Sequence, residues 1–168
     1  MMQKELEVIK KAIINEVEGN EFYKMAAAQA KTPESKEAFM QLAHEEEMHI
    51  KWLKEMFGKV EKGQQDAYEF DFEKYEQFRD ENSPGIFKKG VKALDTSSLS
   101  VAVYGIGIEM ERSSVEFYQK LASETTIPKL KSLCEKLAFW ERVHMNEFKA
   151  QYDLMMGDWW NDQEFAPF

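Results

Sequence analysis

Two twelve-residue stretches, AIINEVEGNEFY at 12–23 and GIEMERSSVEFY at 107–118, end alike and stand 95 positions apart. The same offset carries Glu16 onto Glu111, Tyr23 onto Tyr118, Pro33 onto Pro128, Leu42 onto Leu137, Glu46 onto Glu141 and His49 onto His144. Matches at one offset, without a gap, mark an internal duplication. Each copy reads as a pair of helices. In the first, Leu6, Ile9, Ile13, Glu16, Asn20, Tyr23 and Ala27 recur at steps of three and four, which is the spacing of one helix face. Pro33 closes that helix, since the residue before a proline avoids the helical region, and it suits the first turn of the next. The second stripe is Phe39, Leu42, Glu46, His49, Leu53 and Phe57, with Gly58 as the expected stop.

In the second copy, Thr96, Ser97 and Ser98 offer N-caps. The stripe that follows is Val101, Tyr104, Ile108, Glu111, Val115, Tyr118 and Ala122. Alternation over residues 101–107 would also suit a strand, but the helical spacing continues past Ile108, so a helix is expected. Pro128 opens a fourth helix with Leu130, Leu133, Leu137, Glu141, His144, Phe148 and Tyr152 on its stripe, ending near Gly157. The expected architecture is an all-α four-helix bundle in one domain over residues 1–168, made of two repeated hairpins, 3–57 and 97–157. Residues 58–96 lack sustained periodicity and read as a long crossover with short helical pieces near Phe72–Arg79 and Ile86–Leu94. The tail, 158–168, is aromatic enough to be expected to pack on the bundle or on a partner chain.

What repeats is odd for a core. Each hairpin places one Glu on its first stripe and a Glu-x-x-His pair on its second, so that the pair projects from one helix face. Glu16 lies 17 residues before Pro33 and Glu46 lies 13 after it, which puts them ~25 and ~20 Å from the turn at ~1.5 Å per residue. Those levels nearly coincide, and the duplication repeats them in Glu111 and Glu141. Four carboxylates and two imidazoles thus converge at mid-bundle. Four bare carboxylates buried together would repel one another and lose their hydration. Two divalent cations balance their charge, and oxygen and nitrogen donors without thiolate suit iron or manganese, with zinc also able to bind.

A lone Glu-x-x-His on a helix is more often a solvated pair than a metal site. Its duplication on two apolar stripes, each preceded by a stripe Glu, reverses that balance. Tyr23 and Tyr118 lie two turns past Glu16 and Glu111 and read as core aromatics whose hydroxyls reach a polar partner beside the site. His44 falls opposite Phe139 in the repeat and reads as surface or peripheral to the site. Glu45 and Glu47 flank the stripe and are expected in solvent, Glu18 and Glu109 point off the inward face, and the ten methionines read as core filler.

Composition excludes other classes. The net charge of −9, from 22 basic and 31 acidic residues, argues against a nucleic-acid footprint. The most apolar run, Leu99–Ile108, is far short of the ~20 residues of a membrane span, and no basic amphipathic run suggests a membrane surface. Cys134 is the single cysteine, so no internal disulfide can form, and residues 1–11 lack the apolar stretch of a secretory signal. A reducing, cytoplasmic compartment is the expectation.

A Glu on each of two helices and a Glu-x-x-His on each of the other two resembles the di-iron carboxylate pattern of ferritin-like bundles. The runs Ile-x-x-Glu-x-Glu-Gly-x-x-Phe-Tyr, ending at Tyr23, and LAHEEEMH at 42–49 resemble the ferritin-like domain of the rubrerythrin family. The resemblance covers roughly Leu6–Phe57 and Val101–Tyr152. It implies that Glu16 and His49 bind one iron, that Glu111 and His144 bind the other, and that Glu46 and Glu141 bridge the pair. It also implies a di-iron oxidoreductase that reduces peroxide or dioxygen with electrons from an external donor such as a rubredoxin or a flavoprotein. Iron handling (ferroxidation, storage or buffering) would use the same ligands. The expected oligomer is a homodimer.

Two departures from the family pattern stand out. Full rubrerythrins carry a rubredoxin module with two cysteine pairs, whereas these residues include only Cys134. Rubrerythrins also carry an additional carboxylate one turn after the third-helix Glu, where this chain has Ser114, with Gly19 at the matching position of the first repeat.

Overall fold

Pro33 and Pro128 each occupy the first position of a helix, where a missing N–H costs nothing and the fixed φ is already helical. In the computed structural model, which describes residues 2–73, 75–77 and 98–162, those helices are the second arms of two hairpins. Helix α1 spans Met2–Gln29, α2 Pro33–Glu61, α3 Ser98–Glu124 and α4 Pro128–Asp162. A single 3-10 turn, Gln65–Ala67, follows α2, and there is no strand among the described residues. Residues 98–108 are helical throughout. The all-α bundle of repeated hairpins read from the sequence is the observed fold.

Thr32 caps α2, its hydroxyl accepting from the Ser35 N–H at 3.1 Å. The far end of that helix departs from expectation. It passes Gly58 and stops after Glu61, where Gly63 takes φ 66°. The Gly63 N–H donates to the Val60 carbonyl at 3.0 Å and the Gln64 N–H to the Lys59 carbonyl at 2.8 Å. This paired closure requires a left-handed residue, which Gly63 supplies and a helical Gly58 does not. Likewise α4 passes Gly157 and absorbs residues 158–162 of the expected tail. One interior glycine costs about 1 kcal/mol, too little to stop a helix anchored by the buried Met155. Of the short pieces expected in the crossover, residues 72–73 and 75–77 are helical. The piece at Ile86–Leu94, the caps at Thr96 and Ser97, and the tail beyond Asp162 lie outside the described residues.

The tight pairings are α1 with α2 and α3 with α4, and side chains fill the wider space between hairpins. Two apolar clusters lie in that space. One holds Ile9, Trp52, Leu53, Met56, Tyr75, Leu130, Leu133, Leu137 and Trp140, and the other Phe22, Tyr23, Phe39, Leu42, Tyr104, Phe148 and Met155. The methionines are not all filler: Met2, Met25 and Met40 are exposed. Leu137 is fully buried in the first cluster, so Leu137→Ala should cost about 2–5 kcal/mol. That would lower the midpoint of thermal unfolding by roughly 2–4 °C per kcal/mol, read by circular dichroism.

Candidate metal centre

Six polar side chains interrupt this apolar interior at one level. Glu16 on α1, Glu46 and His49 on α2, Glu111 on α3, and Glu141 and His144 on α4 are each at most 4% exposed. They reach the interior because each stands on the stripe that its helix turns inward. Their ligand atoms fall into two groups, each within 4.8 Å: Glu16, Glu46, His49 and Glu141, and Glu46, Glu111, Glu141 and His144. Glu46 and Glu141 belong to both. His49 Nδ1 lies 3.1 Å from Glu16, 3.3 Å from Glu46 and 3.2 Å from Glu141. His144 Nδ1 lies 3.4 Å from Glu141, 3.6 Å from Glu46 and 3.8 Å from Glu111.

Electrostatics show what the cluster demands. Burial first, then the charge of Glu141, pushes the Glu46 and Glu111 carboxyls well above the usual carboxylate range. Burial alone would lower the two imidazoles. The surrounding groups outweigh it, Tyr75 and Glu141 at His49, and Glu141 and Glu45 at His144, so both stand well above the ordinary histidine value. Glu141, which burial would raise, is instead held far below the usual range by His49 and His144. The site thus attracts positive charge strongly.

The donor set fits two cations. His144 Nδ1 and Glu141 Oε1 are buried without a hydrogen bond. Three carboxylates around that nitrogen sit at 3.4–3.8 Å, a spacing suited to oxygen and nitrogen donors arranged about a common ion. Four glutamates also balance the charge of two divalent ions, with one imidazole for each.

Neighbouring groups hold these side chains in place. Tyr118 on α3 donates its hydroxyl to the Glu16 carboxylate, linking the hairpins. Asn20, one turn past Glu16, donates to the Ala43 carbonyl at 2.6 Å and fixes α1 against α2. Tyr23 is buried, stacks on Phe148 at 5.6 Å and turns its edge to His144 at 6.5 Å. Glu18, Glu109 and His44 are exposed, and His44 pairs with the exposed Glu47.

The expectation that Glu45 lies in solvent is wrong. Glu45 is 2% exposed. Its carboxylate accepts from Tyr75 Oη at 3.0 Å, from His144 Nε2 at 3.0 Å and from Gln41 Nε2 at 3.4 Å. Tyr75, from the crossover, is buried and also lies 3.3 Å from His49 Nε2. Neither residue stood out in the sequence. A signal for Glu45 was present: it is three residues after Leu42, four before His49 and seven before Trp52, so a wider stripe includes it. Tyr75 had no such signal.

Between α1 and α3 a recess of about 20 Å³ reaches the cluster, lined by Asn15, Glu16, Gly19, Glu46, Met110, Glu111, Ser114 and Glu141. It shares Asn15, Met110 and Ser114 with an outer groove of about 450 Å³. Gly19 and Ser114 are therefore the small residues at its wall, and a Cβ at Gly19 would stand 3.6 Å from the Glu46 carboxyl carbon.

Residues 7–152 match the family model described as Rubrerythrin. Comparison with curated proteins and with solved structures finds no match. No helix among the described residues is long and apolar enough to cross a membrane.

Proposed function

The chain belongs to the rubrerythrin family, and from that premise we propose that it is a di-iron oxidoreductase reducing peroxide or dioxygen. The observation that carries the reading is the buried pair of overlapping ligand groups sharing Glu46 and Glu141. Two iron ions bound there would supply Lewis acidity and reducing electrons, with manganese or zinc as competing occupants. Glu16 and His49 would hold one ion and Glu111 and His144 the other, with Glu46 and Glu141 between them. Tyr118 keeps the Glu16 carboxylate oriented, and the aromatic walls exclude water from the imidazoles. A recess of about 20 Å³ holds about one water-sized molecule, which suits an oxidant as small as peroxide or dioxygen. Electrons would come from an external donor such as a rubredoxin or a flavoprotein, in a reducing cytoplasm, and the working form would be a homodimer.

Ferrous-loaded protein should consume hydrogen peroxide at least ~100-fold faster than the Glu46→Ala/Glu141→Ala variant, the scale of several kcal/mol of lost charge stabilisation. Equal rates would sink the reading. Ser114, which stands where the family carries a further carboxylate, with Gly19 at the matching position of the first repeat, favours a second reading: iron handling as a ferroxidase, store or buffer without sustained turnover. Under it, each protein would oxidise its ferrous iron once and stop even with reductant in excess, and a storage cage would elute early in size-exclusion chromatography.

A further inference from the structure

The ligand cluster repeats at offset 95, but the residues behind it do not. The repeat position of Glu45 is Trp140. Glu45 faces His144 from behind and accepts its Nε2 proton at 3.0 Å, which turns Nδ1 toward the carboxylates. Among the described residues, His49 has no such direct partner. Its Nε2 donates to the Tyr75 oxygen at 3.3 Å, and the Tyr75 hydroxyl donates in turn to the same Glu45 oxygen at 3.0 Å. Aromatic rings cover His49 as well: Trp140 stacks on it at 5.6 Å and 12°, and Trp52 at 6.1 Å. One imidazole is thus backed by a carboxylate, and the other by a phenol and two indoles.

We propose that Glu45 makes the two metal positions unequal, so that the Glu111/His144 position binds its ion more tightly and fills before the Glu16/His49 position. A carboxylate accepting the far N–H raises the donor strength of an imidazole toward a metal, and such outer partners are worth about 10–100-fold in affinity. A hydrogen bond to a charged acceptor is roughly twice as strong as one to a neutral phenol. Stacking orients the His49 ring but adds no negative charge to it. Glu45 is therefore a positioning residue acting through His144 directly and through Tyr75 on His49. It ties the crossover to both ligands. The inference rests on the di-metal reading but not on the reaction the centre performs.

The test is an anaerobic titration of the demetallated full chain with Co(II), followed by calorimetry and visible absorption. The unaltered chain should take two ions in separate steps. His144→Ala should remove the tighter step and His49→Ala the weaker. Glu45→Gln should loosen the tight step about 10–100-fold and the weaker step, which it reaches only through Tyr75, by less, bringing the two together. Tyr75→Phe should loosen only the weaker step. If Glu45→Gln fails to give a cooperative melt, the two histidine variants and Tyr75→Phe decide the matter. Loss of the tight step in His49→Ala rather than His144→Ala would overturn the proposal, as would an unchanged tight step in a folded Glu45→Gln. Two equal steps in the unaltered chain would overturn the inequality and leave the centre standing. No Co(II) binding at all would overturn the centre and the inequality with it.

Discussion

Replacing Glu46 and Glu111 together by glutamine should give a protein that is more stable without metal and that no longer takes up two ions. Both carboxyls are buried and pushed well above the usual carboxylate range, by burial first and then by Glu141. At pH 8 in chelator the fold must either hold protons on them or bear their charge. Glutamine keeps the volume, removes the charge, and offers an amide N–H to the neighbouring carboxylates. Relieving the burial and like-charge repulsion that raise both carboxyls should stabilise by on the order of 1–4 kcal/mol, the range for buried ion pairs replaced by well-packed apolar side chains of similar volume, which for a chain of this size is a rise of roughly 2–4 °C per kcal/mol in the melt. The same change removes one ligand that both groups share and one that belongs only to the His144 group. Metal analysis after loading should therefore fall from two ions per chain to fewer than one. A variant melting at or below the parent in chelator would show that these carboxylates do not strain the fold, and one still carrying two ions would show that they do not bind the metals. The parent should recover its deficit on loading, because a ligand at 1,000 times its dissociation constant adds about 4.1 kcal/mol.

Such opposition between stability and function explains what could be read from the sequence. Glu16, Glu46, Glu111 and Glu141 were conspicuous because each stands where a leucine would serve the fold better, and because the anomaly recurs at one offset. The four helices were legible for the same reason: their stripes persist over many turns. Helix ends were less so. Gly58 and Gly63 look alike in a sequence, and only the closure onto Val60 and Lys59 selects Gly63. Glu45 was hidden by its setting. In the run Glu45-Glu46-Glu47, the central residue alone matches the repeat, and an isolated charge beside it reads as solvated. Its burial depends on Tyr75, brought from 30 positions away by a segment without periodicity. A long-range contact of that kind leaves no local pattern, and the duplication, which exposed the six clustered side chains, works against finding it because Trp140 breaks the match.

Demetallated protein should lose stability as pH rises from about 5 to 9, and metal should remove that dependence. His49, His144, Glu46 and Glu111 all have folded values above their ordinary ones, 6.5 for the histidines and 4.5 for the glutamates. A group raised on folding contributes stability that is fully present below its unfolded value and is lost as pH climbs through its folded value. The glutamate contributions therefore begin to be lost above pH 4.5, and those of the histidines above 6.5. Glu141 has the opposite sign: it is lowered, so its contribution is present above 4.5 and lost only in strong acid. From pH 5 upward the folded chain binds more protons than the unfolded chain, and stability falls by about 1.36 kcal/mol per pH unit for each proton of difference. Metal ions compete for the same atoms, so loading the centre should release protons, and affinity should rise with pH. Melts in chelator and in excess metal across that range, with proton release followed by a dye in weak buffer, measure both effects. Chelator melts that rise from pH 5 to 8 relative to metal-loaded melts would contradict the sign. The Glu46→Gln/Glu111→Gln variant separates the contributors. It lacks two of the four raised groups, so its slope should be shallower from pH 5, leaving the histidine part that sets in above 6.5. A slope unchanged in that variant would show that Glu46 and Glu111 do not contribute to the pH dependence.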